Sequence, residues 1–470
     1  MDDQRAARIP FSQKVAFGIG MLANNLFPAA MSVFMVVLVQ GLGMKPLWWG
    51  LAAALPRLVD AITDPIMGFI TDNTRSRWGR RRPYIFVGAI FAGLSYVFMW
   101  QLNPEHSQAF NFWYFLTLAV LFFIGLTIFA TPYVAMGYEM SSDFHERTRL
   151  MAVSQWIGQW AWVVAPWFWV IIYREDLFEN AVAGARQLAI WVGLTCMVLA
   201  IVPAIFCRTV DVDPATQEDL TIRNLGRSIA VLARGLLDAF ACRPFRQICM
   251  ATFFVFGSFN TTAGLTFFII VHHMYGGDAG RAGTWPAWFG CVSSLMTCFL
   301  VIPIVTLMSQ HLGKRRAFLI SQGISIFGYL GFWWFLTPTN PWLMFAPLPF
   351  YAFGIGGLFT LMMSMTADVC DLDEWRTGTR REGTFGAVYW WMVKLGLAIA
   401  GLSMGLVMDG VGFESEGATE SSIIGLRQAY SIIPIAGTLL AIAVMWRYDL
   451  SETRSNEIRA QIEARKAGAA

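Results

Sequence analysis

Two short basic stretches decide the fold of this 470-residue chain: Gly79-Arg80-Arg81-Arg82 and its echo Gly313-Lys314-Arg315-Arg316. A second pair of echoes lies further along each half, where Asp143–Arg149 corresponds to Asp371–Arg376. Each stretch follows a long apolar segment, and the members of each pair are about half a chain apart. The order of segments is therefore repeated in the same direction, which indicates two similar halves.

The composition around these stretches is that of a polytopic membrane protein. Hydrophobic residues make up 56% of the chain and charged residues only 14%, with a mean hydropathy of +0.53. So few charges could not cover the surface of a soluble protein of this length. A bilayer span needs about 20 apolar residues. We count twelve such spans, at 13–39, 47–71, 84–102, 111–138, 149–172, 187–206, 245–273, 285–309, 317–336, 342–367, 384–408 and 424–446.

The distribution of basic residues predicts an orientation in a bacterial inner membrane. Lys and Arg collect in loops on the cytoplasmic side. Of the 34 in this chain, 27 lie in the two tails, in alternate loops or in the first two residues of the spans that follow them. Both termini are therefore expected to be cytoplasmic. The polar segment 1–10 has no apolar core of a signal peptide, so we expect no segment to be removed.

The repeat also predicts a domain organisation. Residues 1–206 should form one six-helix bundle and residues 245–447 a second, with a cytoplasmic tail at 448–470. In the intervening linker, 207–244, apolar residues recur at helical spacing over 224–240 with arginines between them, which predicts an amphipathic surface helix. Two such bundles with basic loops after spans two and eight are the layout of the major facilitator superfamily. We therefore predict an all-α membrane protein of twelve transmembrane helices in two six-helix pseudo-repeats.

The second span carries charge in its middle, in Pro56-Arg57-Leu58-Val59-Asp60-Ala61-Ile62-Thr63-Asp64-Pro65. A charge at that depth costs roughly 2.5–3.5 kcal/mol, so it is rarely kept without a partner or a task. Asp60 and Asp64 share one helical face. Two carboxylates at one buried site repel each other unless a cation or proton lies between them. The pair predicts a cation site and coupled transport; the alternative is a structural ion pair with Arg57 or with Lys394 of span eleven.

Several ordered motifs resemble the glycoside–pentoside–hexuronide:cation symporters, the family typified by melibiose permease. The resemblance covers almost the whole chain. Its strongest parts are 57–68 and 72–83, followed by 132–133 with 146–150, 367–369 with 373–375, and 381–394. It implies that Asp60, Asp64 and Thr127 bind the cation, that Lys394 faces the cavity, and that Arg57 matches a span-two arginine. Hard oxygen ligands suit sodium; a proton is the other possible coupling ion, and no cofactor is expected.

Four positions depart from the family where it grips sugar with charged or aromatic groups. They are Asn25, Ala130, Val134 and Gln155 in this chain. Neutral hydrogen bonds are weaker than bonds to charged groups, so a galactoside held by carboxylates is not expected. Aromatic rings can stack on a pyranose face, whereas amides can also bond one helix to another. The candidate substrate-binding residues are Asn24, Asn25, Gln155, Gln159, Asn260, Tyr389 and Trp390.

The cytoplasmic loops carry charges that could close one side of a transporter. Salt bridges among them would have to break as that side opens. The candidate gate residues are Arg77, Arg81, Glu139, Asp143, Arg149 and Asp368. The first basic loop resembles the superfamily's loop motif, while the second lacks its acidic residue and has Ser309 near that place. Because these loops lie between spans, their basic residues indicate topology rather than nucleic-acid binding.

The sequence thus predicts a secondary active symporter that imports a sugar or glycoside with sodium or proton entry, by alternating access. The alternative is a cation-coupled carrier of a lysolipid or other amphipathic solute, because an animal branch of the family moves lysophospholipids. No nucleophile–base pair, His/Cys metal spacing or phosphate loop indicates an enzyme. The expected partners are a small-molecule solute and membrane lipids, and the protein is expected to be monomeric.

Overall fold

The computed structural model describes residues 9–140, 144–174, 176–208, 226, 230, 234–235, 237–378, 382–414, 418–450 and 452–468. Within these ranges every regular element is a helix and no strand occurs. The chain forms two compact units, Met1–Ala230 with Ala279–Cys291, and Val231–Asp278 with Val292–Ala470. The predicted all-α class is confirmed.

Among the described residues, seven helices precede the linker. They are α1 (Phe11–Gln40), α2 (Pro46–Asp72), α3 (Arg82–Met99), α4 (Gln108–Glu139), α5 (Phe144–Val164), α6 (Pro166–Ile172) and α7 (Ala181–Phe206). Side chains fix two of the starts, since Ser107 accepts a hydrogen bond from the backbone N–H of Phe110, and Asn180 from that of Ala183. Such N-caps satisfy donors that have no partner inside the helix. The fifth predicted span is divided into α5 and α6 at Pro166, which has no backbone donor.

The helices after the linker follow the same plan with more interruptions. They are α8 (Arg243–Phe268), α9 (Ala279–Ala282), α10 (Trp285–Met296), α11 (Ile302–Leu312), α12 (Lys314–Phe335), α13 (Leu348–Thr377), α14 (Glu382–Gly410), α15 (Glu420–Trp446) and α16 (Glu452–Gly468). A π-helical segment, Ile269–Met274, extends α8, and another, Thr297–Val301, joins α10 to α11. A 3₁₀ turn, Pro341–Phe345, precedes α13.

Among the described residues, ten helical stretches are long and apolar enough to cross a membrane. The other two predicted spans are α2, whose charged residues lower its hydropathy, and the divided pair α5 and α6. A helical membrane fold is therefore confirmed, while the full count of twelve spans stays a prediction.

Equivalent contacts in the two units support the internal repeat. A Cβ at Gly88 of α3 would collide with the α4 backbone at Ile128 and Phe129, and a Cβ at Gly328 of α12 would collide with the α13 backbone. Arg82 donates to the carbonyl of Ile205 at the end of α7, 2.8 Å away. In the second basic stretch the similar contact is made one position earlier, where Arg315 donates to the carbonyl of Trp446 at the end of α15. Each basic loop thus holds the last long helix of its own unit.

The two segments predicted outside the bundles differ in outcome. Most of the predicted amphipathic helix at 224–240 lies outside the described residues, so it stays a prediction. The tail forms α16, which packs on the second unit: Ile458 and Ile462 belong to its buried core. The indole N–H of Trp375 donates to Gln461 Oε1 over 2.7 Å.

Candidate functional site

The two carboxylates of α2 are held by hydroxyl groups of α4. Asp60 is buried, and Thr127 donates to its Oδ1 over 2.7 Å. Asp64 is half-buried and accepts from Thr131 Oγ1 over 3.1 Å. Each bonded pair is separated by 67 residues in sequence. Residues four apart share one face of a helix, so the two bonds lie one turn apart on the same pair of faces. The arrangement is a ladder of two carboxylates against two hydroxyls.

Thr131 is the member of this ladder that the sequence did not identify. Its position one turn after Thr127 places it on the same face of α4, and this spacing was the only signal in the sequence. The local sequence does not show which neighbouring helix that face contacts. Thr63 adds a third hydroxyl, 3.1 Å from that of Thr127. Five oxygen-bearing side chains therefore gather where α2 meets α4. Such hard oxygen donors fit an alkali cation.

The basic residues predicted near this site lie in different units. Arg57 is three residues before Asp60 on α2 and interacts with its charge. Lys394 is half-buried on α14 of the second unit. The Arg57 interaction supports part of the alternative reading, a structural ion pair. Asp64, which accepts a hydrogen bond from Thr131, is half-buried and is therefore the more accessible of the two carboxylates.

The candidate amides have different surroundings. Asn25 donates from Nδ2 to the carbonyl of Gly158 on α5, 3.2 Å away, and so joins two helices. Asn24 and Asn260 bond within their own helices, to Met21 Sδ and to the carbonyl of Phe256. In contrast, Gln155 and Gln159 are both exposed on α5. The helix-bonding interpretation thus describes Asn25, while the two glutamines keep their side chains accessible.

The two candidate aromatic residues of α14 differ in exposure. Tyr389 is fully buried, whereas 48% of Trp390 is exposed. The ring of Trp390 stacks against that of Phe359, with a centroid distance of 6.5 Å. Because a ring must present a face to stack on a sugar, Trp390 is the better placed of the two.

Glu139, at the end of α4, is the centre of the charge network in the first unit. Its Oε1 accepts from Arg81, at 2.5 Å, and from Arg80. Arg81 is buried and also donates to Asp72 at the end of α2, over 2.7 Å. The network therefore holds the loop between α2 and α3 against α4.

A second pair of ionic contacts in this unit involves a residue that was not among the gate candidates. Glu146, at the start of α5, accepts from Lys14 of α1 over 2.5 Å and from the backbone N–H of Ile9. The hydrogen bond from Lys14 lowers the pKa of Glu146 despite the burial of its carboxylate. Arg149 makes only a 3.4 Å contact with Glu146 and is largely exposed.

The remaining gate candidates are distributed as follows. Asp368, buried on α13, pairs with Lys314 Nζ over 2.6 Å. Arg77 is exposed, and Asp143 lies outside the described residues. Every ion pair that the described residues form with these candidates lies within one unit, so their role in closing the cytoplasmic side stays a prediction.

Two solved transporter structures share this fold. A bacterial homolog to the human lysosomal transporter Spinster, in an inward-facing conformation, superposes with a TM-score of 0.66 at 15% identity, covering 94% of this chain and 98% of that one. The nucleoside transporter NupG gives a TM-score of 0.63 at 15% identity, covering 93% and 100%. These likenesses show the fold of the chain, a helical membrane fold that it shares with solved transporters.

Sequence comparison gives the family. The family model described as MFS/sugar transport protein matches residues 16–452, so the chain belongs to that family. It is 25% identical to a glucuronide carrier protein homolog of Escherichia coli, over 96% of this chain and 95% of that one. It is 22% identical to the isoprimeverose transporter of Lactiplantibacillus pentosus, over 93% and 88%. A putative glycoside/cation symporter of Escherichia coli is 24% identical, over 97% and 95%.

Proposed function

We propose that this transporter imports a glycoside together with sodium ions or protons, by alternating access between its two units. The observation that carries the proposal is the ladder of Asp60 and Asp64 against Thr127 and Thr131. Paired carboxylates in an apolar helix are costly unless a cation neutralises them. Binding of the cation would favour the conformation that accepts solute, and solute would then permit turnover.

The individual roles follow from position and chemistry. Asp60, Asp64 and Thr127 bind the cation, and Thr131 orients the carboxylate of Asp64. Arg57 and Lys394 compensate the carboxylate charge when the cation has left. Gln155, Gln159 and Trp390 are the accessible groups for a sugar, as amide hydrogen-bond partners and as a stacking surface. Arg81 and Glu139 would hold the cytoplasmic end of the first unit.

A glycoside is favoured over an amphipathic lipid as the solute. The relatives at similar identity are named for a glucuronide, for isoprimeverose and for glycosides. At Asn25 and Gln155 this chain has an amide where the resembled family has a charged group. These sugar-binding positions therefore lose charge but stay polar. We therefore expect the solute to be a sugar held by neutral hydrogen bonds, and melibiose to bind poorly.

The experiment uses the purified full-length protein in proteoliposomes, with a panel of solutes that includes a glucuronide and isoprimeverose. Uptake is measured with a sodium gradient at constant pH, and with a pH gradient without sodium. The double variant Asp60→Asn, Asp64→Asn should reduce gradient-driven accumulation at least about a hundredfold, because each lost charged ligand is worth roughly 1.5–3 kcal/mol. Asp409→Asn, which changes an exposed carboxylate at the end of α14, is the matched control. Accumulation against a gradient by the double variant would show that the coupling site lies elsewhere.

A further inference from the structure

A short part of the second sequence repeat belongs to the first unit. Residues Ala279–Cys291, which form α9 and the first half of α10, pack with the first unit, whereas the chain on both sides of them belongs to the second unit. We call Ala279–Cys291 the arm. It contains the start of the eighth predicted span, at the end expected to be outer. None of the proposed cation or solute residues lies in the arm, so those sites do not account for its position.

The arm meets α6 of the first unit through an aromatic pair and through a glycine. The ring of Trp288 lies edge to face with that of Trp167, with a centroid distance of 5.1 Å. A Cβ at Gly290 would lie only 3.0 Å from Pro166 Cγ, so glycine permits this close approach. Edge-to-face pairing adds only modestly to the burial of the two rings. Such a contact is specific in shape and can be formed and broken in a transport cycle.

The arm is flanked on both sides by π-helical segments. Ile269–Met274 precedes it and Thr297–Val301 follows it, and both belong to the second unit. π-Helical turns are rare, interrupt the regular ladder of helix hydrogen bonds and are a usual cause of helix kinks. Gly276 and Gly277, with φ of 64° and 90°, lie between the first of these segments and the arm. Both connections of the arm can therefore bend more easily than a continuous α-helix.

Beyond the second π-helical segment the chain is fixed to the second unit. Val301 is fully buried, and a Cβ at Gly356 of α13 would collide with its side chain at 2.7 Å. The span as a whole nevertheless packs loosely. Only 17% of the most apolar part of Trp285–Leu312 is buried, against 39% or more in the nine other apolar stretches of the described residues. One span is thus held by α6 at its start and by α13 further along.

We propose that the arm is a latch for the outer end of the transporter. It is docked on α6 while that end is closed, and as the end opens Trp288 leaves Trp167 and the two π-helical segments bend. The proposal rests on the alternating access proposed above. Because the chain on both sides of the arm belongs to the second unit, a movement of one unit against the other must break the docking or deform a π-helical segment.

The test is a reversible cross-link in the full-length protein. A Cβ at position 290 would lie 3.3 Å from that of Pro166, close to the separation that a disulfide needs. The double variant Pro166→Cys, Gly290→Cys should therefore form a disulfide on oxidation. The matched control is Val411→Cys, Gly425→Cys, whose Cβ atoms would be 3.1 Å apart within the second unit, at the same end. Mass spectrometry identifies each disulfide and shows that the seven native cysteines stay outside it.

Uptake of the solute panel is measured in proteoliposomes for the oxidised and reduced forms of both double variants. Oxidation of Pro166→Cys, Gly290→Cys should abolish uptake, because a latched carrier cannot open its outer end, and reduction should restore it. The control should carry solute equally well in both forms. Unchanged uptake after complete cross-linking of the arm would overturn the proposal, and so would failure of that disulfide to form.

Hydrogen exchange tests the latch without solute or cation. Backbone amides of Thr297–Val301 exchange only when this segment opens, so cross-linking of the arm should slow their exchange in detergent, and the control cross-link should not. Equal exchange rates in the oxidised and reduced forms would contradict the latch. A protein that carries no solute of the panel in either form, but exchanges more slowly when oxidised, would refute the proposed function and support the latch.

Discussion

The two units repeat one architecture but place their membrane charges differently. In the first unit, α2 carries Arg57, Asp60 and Asp64. The corresponding stretch of the second sequence repeat, Trp285–Leu312, contains no Asp, Glu, Lys or Arg and is interrupted by a π-helical segment instead. The second unit contributes Lys394 on another helix, α14. The repeat therefore supplies a common scaffold, and substitutions in one copy supply the candidate cation site.

The basic loops of the two units also differ, in their length and in the number of acidic residues that they contact. Nine residues, 73–81, connect α2 to α3, whereas the single residue Gly313 connects α11 to α12. Gly79 and Gly313 both have positive φ, at 85° and 79°, which only glycine adopts without strain. The longer loop lets Arg81 reach both Asp72 and Glu139, but the shorter one leaves Lys314 with Asp368. The sequence echo thus preserves the glycine and the basic residues, while loop length decides how many acids they meet.

The largest expected effect that tests this comparison is on stability. Arg81→Ala should lower the free energy of unfolding by about 3–5 kcal/mol, because it leaves the partly buried Glu139 without its main partner. Lys314→Ala should cost less, about 1–3 kcal/mol, because Lys314 pairs with one carboxylate, Asp368, whereas Arg81 pairs with two. Thermal unfolding in detergent measures both, with the exposed Arg77→Ala as the control. Equal losses of unfolding free energy at the two sites would show that the two loops contribute equally to stability.

A smaller effect is expected for the charge that the second unit contributes. We proposed that Lys394 compensates the carboxylates of α2 in the cation-free state, so its loss should slow the return of the empty carrier. Lys394→Ala should therefore reduce net uptake at least about tenfold, the weight of one charged interaction. Solute affinity and solute exchange should change much less. Unimpaired net uptake in this variant would restrict the coupling machinery to the first unit.

The smallest expected effects concern solute affinity, again with one residue from each unit. Trp390→Ala and Gln155→Ala should each weaken binding by about 0.5–1.5 kcal/mol, from lost stacking and from a lost neutral hydrogen bond. Tyr389→Phe is the control on the same helix, because that hydroxyl is buried away from solute. Binding is measured with the cation present at saturation. If both affinities are unchanged, the solute is held by other residues.

Much of the candidate site could be predicted from local pattern. The shared face of Asp60 and Asp64 follows from a four-residue spacing, and the basic loops follow from the repeat. The partner of Arg81 could not be chosen in this way, because Asp72 and Glu139 were both available and one of them is 58 residues away. The sequence favoured Trp390 for stacking, but it did not show that the neighbouring Tyr389 is buried. Adjacent residues on a helix point about 100° apart, and which one is buried depends on the neighbouring helices.

The sequence by itself determined the membrane class, the two-fold repeat and the helix that carries the buried carboxylates. These features depend on hydropathy and spacing within about 20 residues, and the lipid solvent leaves helices as the main way to satisfy such a backbone. Only the tertiary structure decided that Thr131 faces Asp64, that Asn25 bonds to α5, and that α16 folds onto the second unit. Each of these depends on the register between helices far apart in the chain, and that register is set by how whole helix faces pack.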